Sequence, residues 1–399
     1  MARVLYVATE ARLTRGPDGS IRSQFSDTSY AAWAPYLREF ERIVVVSRVE
    51  TSDVGAPLAV EGPAISVLAL PNYRGAGGFI RTLPRLIGVI RRSCTDATAI
   101  YAGRVPGMIG ALLSSRARTL GADFVALVVG DPVEVARSGA AGRVIRWGAP
   151  AVGLAMRLLL RRATRASYVT EHVLQARYPV RAGIPQRSGS GVHLPPEAFA
   201  SAARDFADRQ LTDVWHLITV GSQEATYKGH DVLLAAVAQL VAESRLSVQL
   251  TIIGGGKYGP TYQGIVADLG LSDHVELAGH IVDPAGVRRR LEAADLFVLP
   301  SRTEGLPRAL VEAMALALPC LASAVGGIPE LLSDECLVPP GEPRELARAI
   351  EGLLMRPLEM NRLSRENLAQ AHRVVERAQG TDPAAFLAGR LGPRGGASA

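Results

Sequence analysis

Residues 294–332 read ADLFVLPSRTEGLPRALVEAMALALPCLASAVGGIPELL, and their order decides the fold. Residues 294–299 are a short apolar run suited to a buried strand. A polar loop, 300–306, carries Glu304 and Gly305. Pro307 suits the first position of a helix, where no backbone donor is needed and a fixed φ costs nothing. That helix turns Leu310, Val311 and Met314 inward and carries Glu312. Residues 320–324 form a second strand that runs into Gly326 and Gly327. Glu304 and Glu312 thus straddle a helix N-terminus that follows a buried strand. In an open parallel sheet ligands bind there, outside the C-terminal strand ends. The free N–H groups of the first helical turn favour an anion.

The same grammar extends in both directions. Residues 214–220 predict a strand ending at Gly221, and Lys228 opens a helix reaching 243. Residues 247–253 predict a strand running into Gly254, Gly255 and Gly256, and 275–277 a strand ending near Gly279. A helix over 284–293, a strand over 335–338 and closing helices from 343 to about 389 complete this half. In the first half, strands are predicted over 3–9, 42–47, 65–70, 97–101, 123–129 and 167–170. Helices fall over 26–40, 78–92, 106–120, 143–165 and 171–178, and residues 10–24 read as a polar loop with Gly16 and Gly19. Strands alternating with helices give an α/β chain with parallel sheets. Gly, Ser and Pro collect between 181 and 208, the expected linker. The domains are then 1–190 and 191–374, both Rossmann-like.

With 399 residues the chain has room for two such domains. Its net charge of +6 is compatible with anionic ligands, a membrane surface or nucleic acid. No nucleic-acid motif accompanies the charge, and at 5% aromatics there is little to stack on bases, so nucleic acid is not an expected partner. Cys94, Cys320 and Cys336 lack metal-ligand spacing and read as small buried hydrophobes in a reducing compartment. The first residues, MARVLYVATE, lack a signal-peptide core, and the apolar run 149–160 is interrupted by Arg157 and too short to span a bilayer. A cytoplasmic protein is expected. The basic stretches 78–92 and 143–165 leave two readings open: docking on the inner, anionic face of the membrane, or a solvated arginine face.

Lys228 follows a strand that ends at Gly221, so it is expected to meet the Glu304 region across one crevice, where a lysine and a helix N-terminus together hold a diphosphate. One local pattern competes. Gly254, Gly256 and Gly259 spell G-x-G-x-x-G after a strand, with Glu276 about twenty residues on, the fingerprint of an NAD(P)-dependent enzyme.

The pair Glu304–Glu312 within PSRTEGLPRALVEAMALALPCLAS, the run AVGGIPELL, and the preceding VGSQEATYKGHDVLLAAV, IIGGGKYG and LEAADLFVLPSRTEG resemble glycosyltransferase family 4. These are retaining sugar transferases of the GT-B fold, with two Rossmann-like domains facing across a cleft and an E-x7-E signature. The resemblance is specific from about Val214 to Leu332 and weaker before that. It implies a terminal helix, about 375–392, crossing back onto the first domain. It implies a hexosyl transfer from a nucleoside-diphosphate sugar, UDP favoured, to a hydroxyl of a glycan, lipid-linked or natural-product acceptor, with no cofactor and no metal. By the same resemblance Glu304 contacts the donor sugar, and backbone from Gly305 through Leu306 and Pro307 to Arg308 lines sugar and phosphates. Glu312 holds the ribose and Lys228 the leaving diphosphate. Gly254 and Gly256 face the cleft, and Gly279, His280 and Ile281 lie near the base. Gly16 and Gly19 approach the donor phosphate, and Asp131 stands where relatives place a histidine near the reaction centre. One position departs: Ser222 replaces a common arginine, leaving Arg302 and Arg308 as candidates for the second phosphate cation. A nucleotide-sugar-binding protein without transferase activity is the remaining alternative.

Overall fold

The computed structural model describes residues 3–52, 56–138, 148–189, 192, 194–210, 212–380 and 382–390. The first half contains β1 (Val4–Arg15), β2 (Ile21–Ser23), α1 (Tyr30–Trp33), β3 (Arg42–Thr51), β4 (Leu58–Ala59), β5 (Ile65–Pro71) and α2 (Gly75–Ser93). It continues with β6 (Ile100–Val105), α3 (Met108–Leu120), β7 (Asp123–Val128), α4 (Pro132–Arg137), α5 (Ala149–Leu160), β8 (Arg165–Tyr168), α6 (Val173–Arg177) and β9 (Gln186–Ser188). The parallel strands run β5-β3-β1-β6-β7-β8-β9. Helices α2, α3, α5 and α6 cover one face, burying Leu86, Ile90, Ile109, Leu113, Met156 and Leu174. Trp33 and Phe40 cover the other.

The second half contains β10 (Val214–Val220), α7 (His230–Glu243), β11 (Ser247–Ile253), α8 (Gly259–Asp268), β12 (Val275–Gly279), α9 (Pro284–Ala293), β13 (Leu296–Leu299), α10 (Arg308–Ala315), β14 (Cys320–Ser323) and β15 (Leu337–Val338). Its sheet is wholly parallel, in the order β12-β11-β10-β13-β14-β15. The central strands are buried on both faces, which is why Leu296–Leu299 and Cys320–Ser323 read as unbroken small or apolar runs. The chain closes with α11 (Pro343–Leu354), α12 (Pro357–Gln379) and α13 (Pro383–Leu387). Phe386 and Leu387 of α13 pack with Leu5, Val7 and Ile43 of the first sheet. Arg165 Nη2 donates to the Leu387 carbonyl at 3.1 Å.

Two local expectations change. Residues 10–24 are not a loop: β1 runs on to Arg15 and returns as β2, because Leu13 and Ile21 alternate into the core. The 26–40 helix is broken into 3-10 turns at Ser26–Thr28 and Ala34–Arg38 around the four-residue α1. The expected helix over 143–165 begins at Ala149; residues 139–147 lie outside the described residues. All three cysteines are buried and free; burial pushes the Cys94 thiol up to about 12 and Cys336 to about 11.

Candidate active site

Strands β10 and β13 are neighbours, so the loops leaving their C-terminal ends meet. The turn Thr226–Lys228 follows β10, and the loop 300–307 follows β13. Lys228 Nζ lies 2.7 Å from Glu304 Oε1, and Ser301 Oγ donates to the same oxygen at 2.6 Å. Both partners are nearly enclosed, with side chains 14% and 8% exposed. Burial works against the Lys228 charge, but the Glu304 carboxylate outweighs it and holds the ammonium above its ordinary range. One ammonium hydrogen is taken by Glu304, and among the described residues no donor reaches the other Glu304 oxygen. The pair therefore retains capacity on both sides.

Arg302, one of the two arginines expected near the phosphates, is already engaged. It forks onto Asp231 with Nη1 to Oδ1 at 2.8 Å and Nη2 to Oδ2 at 2.6 Å, and Nη1 also donates to the Thr226 carbonyl at 2.8 Å. This guanidinium is spent on holding the turn that carries Lys228. Arg308 is different. It opens α10, is 52% exposed, and comes only to 3.7 Å of Glu312 Oε1. Burial raises the Glu312 carboxyl and Arg308 partly offsets that. Pro307 sits at the N-cap rather than inside the helix, and among the described residues no side-chain cap bonds the first-turn amides. The contrast is α9, where Asp283 caps Ala285 and Gly286. The α10 amides are thus oriented for an external anion.

Glycines build the floor. Gly326 has φ +54°, and a Cβ there would lie 2.0 Å from the Glu304 carbonyl. The Gly327 amide donates to the Gly305 carbonyl at 2.7 Å. Gly254 and Gly256 lie so close to the Gly221–Glu224 backbone that a Cβ on either would collide with it. The G-x-G-x-x-G pattern thus has a packing reason, loop against loop beneath Ser222, and Glu276 is turned to Arg290 at 2.6 Å. Ser222 Oγ accepts from the Glu224 amide at 3.2 Å. His280 is exposed at the exit of β12, beside Gly255, with Ile281 partly buried against the core. His230 was not anticipated: it is fully buried behind Gly221, edge-on to Tyr262, and burial pushes its pKa down to about 4. Its only sequence signal was its place directly after Lys228-Gly229.

The first domain meets this floor at β7. A Cβ on Gly305 would lie 2.0 Å from the Val129 carbonyl. Asp131 follows but does not face the cleft freely. It caps α4 through Val133 and Glu134, pairs with Arg177 at 2.7 Å and accepts from Tyr178. At 3% exposure it is a buried cap whose carboxylate is engaged by these partners. Gly16 and Gly19 form the β1–β2 hairpin turn, closed by its own Gly16–Ser20 and Gly19–Gly16 bonds. A network stands at the exits of β1, β3 and β5. Glu10 accepts from the Ile109 amide at 2.7 Å, and burial raises its carboxyl. Arg48 lies over the Tyr73 ring, and Glu50 gathers Asn72 at 2.8 Å and Arg74 at 3.3 Å. The alternation of Leu13 and Ile21 around a glycine turn was the signal that this region is strand.

Residues 215–356 match the family model described as glycosyl transferases group 1. The chain is 23% identical to Protein CapJ of Staphylococcus aureus over 81% of this chain and 80% of that one. It is 35% identical to an MMP alpha-(1->4)-mannosyltransferase of Mycolicibacterium hassiacum, over 37% of this chain and only 36% of the relative's length. In three dimensions it superposes on Anabaena HepE in complex with UDP with TM-score 0.63 and 16% identity, covering 95% of this chain and 98% of that one. Among the described residues no helix is long and apolar enough to cross a membrane, and no acidic, His or Cys cluster is arranged to hold a metal. The second sheet and its helices carry the match to the group 1 glycosyl transferases, within a chain whose fold is GT-B.

Proposed function

We propose that this protein is a retaining glycosyltransferase of family 4 in which Glu304 and Glu312 form the E-x7-E signature. It transfers a hexosyl group from a nucleoside-diphosphate sugar, UDP favoured, to an acceptor hydroxyl. The carrying observation is the enclosed Lys228–Glu304 pair at the exits of β10 and β13, beside the uncapped start of α10. The UDP seen in the HepE structure and the mannosyl transfer of the M. hassiacum relative support the donor class. Lys228 neutralises the departing diphosphate, the charge that most needs stabilising. The free Glu304 oxygen accepts from sugar hydroxyls, and Glu312 accepts from the ribose. Arg308 takes the place of the cation absent at Ser222. The acceptor oxygen attacks the anomeric carbon from the face the diphosphate leaves. The carbon–oxygen bond to phosphate breaks, and the acceptor proton passes to the departing phosphate oxygen. No protein base or metal is assigned, and Asp131 keeps its structural place.

The acceptor is a hydroxyl of a glycan, a lipid-linked sugar or a small natural product, held against the first domain. For the lipid-linked case we propose peripheral contact with the cytoplasmic face of the membrane. Helix α2 exposes Ile80 and Ile87 among Arg81, Arg85, Arg91 and Arg92. Helix α5, on the same sheet face, exposes Leu154 and Leu158, with exposed Arg157, Arg161 and Arg162 close by. Neither helix contains an acidic residue. Salt-sensitive co-sedimentation with anionic but not neutral vesicles is expected; equal partitioning leaves only a solvated arginine face.

A screen of UDP- and GDP-sugars by thermal shift and donor hydrolysis tests the main reading. Stabilisation with slow hydrolysis supports it. UDP binding with neither hydrolysis nor transfer to any acceptor supports a binding protein instead. Stabilisation by NAD(P) alone contradicts it.

A further inference from the structure

Across the cleft, two carboxylates on opposite domains each grip the other domain's backbone. Glu330, three residues after Gly327, accepts from the amides of Glu171, His172 and Val173 at 2.6, 2.8 and 2.7 Å. These three amides belong to the first domain, at the start of α6. Glu134, on α4 of the first domain, accepts from the Gly326 amide at 3.1 Å. Its other oxygen pairs with Arg177, which is also bound to Asp131. Arg377 of α12 closes the ring by pairing with Glu171. The Glu330 carbonyl is itself tied to α12 by Gln370 Nε2 at 3.0 Å.

The position of this ring gives it a consequence. Gly326 and Gly327 underlie the Glu304–Gly305 peptide at van der Waals limits, and Gly305 touches Val129 of the first domain. Anything that fixes Gly326 and Glu330 against the first domain also fixes the peptide from which Glu304 projects. A carboxylate bonded to three amides is a strong, directional tie, and its loss strands those amides in a partly enclosed interface. The Glu330 carboxylate and the Glu134 oxygen that crosses to Gly326 accept from backbone N–H groups of the opposite domain, so each of these ties is made only when the two domains are apposed at this register.

We infer that Glu330 and Glu134 are positioning residues that clasp the two domains and set the donor loop at Glu304–Gly305. The clasp makes donor-loop geometry dependent on domain closure. Neither carboxylate is assigned to the donor. This rests on the proposed donor site only for its kinetic consequence; the clasp itself is readable in the ligand-free protein.

The test is hydrogen exchange and kinetics on wild type, Glu330→Ala, Glu330→Gln and Arg377→Ala. In ligand-free Glu330→Ala, amides 171–173 are expected to exchange at least tenfold faster. Segment 304–312 of the other domain should exchange faster as well. Glu330→Gln, which keeps an acceptor oxygen, recovers part of the protection, and Arg377→Ala gives a smaller change in the same two segments. Donor hydrolysis by Glu330→Ala falls at least tenfold in kcat, while UDP affinity stays within threefold. Faster exchange confined to 171–173, with 304–312 and kcat unchanged, overturns the inference. Equal losses in UDP affinity and kcat also overturn it, because they mark general damage to the second domain. If Glu330→Ala does not fold, the same two-segment comparison is made on Arg377→Ala. A wild type that neither binds nor hydrolyses nucleotide-sugar defeats the proposed function, while the exchange comparison still decides the clasp.

Discussion

The two sheets end at the cleft in opposite ways. The second sheet ends in backbone. Its exit loops interlock through Gly254, Gly256, Gly305 and Gly326, and the nearly enclosed Lys228–Glu304 pair stands on that floor. The first sheet ends in side chains. There β1 and β3 run beyond their parallel neighbours, and Glu10, Arg48, Glu50, Asn72 and Arg74 form a half-exposed charged network. A backbone-built end tolerates few substitutions and presents one geometry. A side-chain-built end changes its charge and shape by single replacements without disturbing the sheet. The first arrangement suits a shared nucleotide-sugar donor, the second an acceptor particular to one enzyme.

Four changes test that contrast, from the largest effect down. His230 is buried neutral beneath the donor floor, with a pKa near 4 against an ordinary 6.5. Below pH 6.5 the unfolded chain binds a proton that the folded one refuses, so stability falls with pH until about 4. The loss approaches about 3 kcal/mol. Urea unfolding at pH 7 and 4.5 should show it in wild type and a smaller change in His230→Gln; parallel curves remove His230 from the account. Gly326→Ala forces a left-handed alanine against the Glu304 carbonyl and is expected to cost about 2 kcal/mol of stability together with donor turnover. A neutral result would mean that the floor is softer than its geometry. Arg308→Ala is expected to weaken donor kcat/KM about tenfold, about 1.4 kcal/mol; unchanged kinetics would leave Ser222 uncompensated by Arg308. Glu50→Ala, in the first network, should move stability by no more than about 0.5 kcal/mol and leave donor hydrolysis alone, while changing acceptor KM. Lost donor hydrolysis in that variant would erase the division between the two ends.

How much of this was legible in the sequence follows the same division. The second sheet is written in uniform signals: apolar runs such as Leu296–Leu299 that end in glycine or proline, each followed by a helix. Strand, loop and helix therefore declare the position of Glu304, and Lys228 is expected near it because both follow strand C-terminal ends. The meeting of these two residues at 2.7 Å needed only parallel neighbours. Contacts set by side-chain choice were not legible. Nothing local distinguishes Arg302, committed to Asp231, from Arg308, which is half-exposed. Asp131 is placed near a reaction centre by resemblance alone, and nothing local announces that Tyr178 and Arg177 hold it. The first domain hid more, because the β1–β2 extension has polar residues on its outer side and a glycine turn, and so resembles a loop. Glu330 gave no sign at all, since its partners are backbone amides about 160 residues earlier, which sequence chemistry cannot reveal.

The central claim is that the Lys228–Glu304 pair and the start of α10 hold a nucleoside diphosphate. Calorimetric titration with UDP of wild type, Lys228→Ala and Glu50→Ala tests it most directly. Micromolar-range binding is expected for wild type, at least a hundredfold loss in Lys228→Ala, about 2.7 kcal/mol, and an unchanged isotherm in Glu50→Ala. Full-strength UDP binding by Lys228→Ala would place the nucleotide elsewhere and contradict the account.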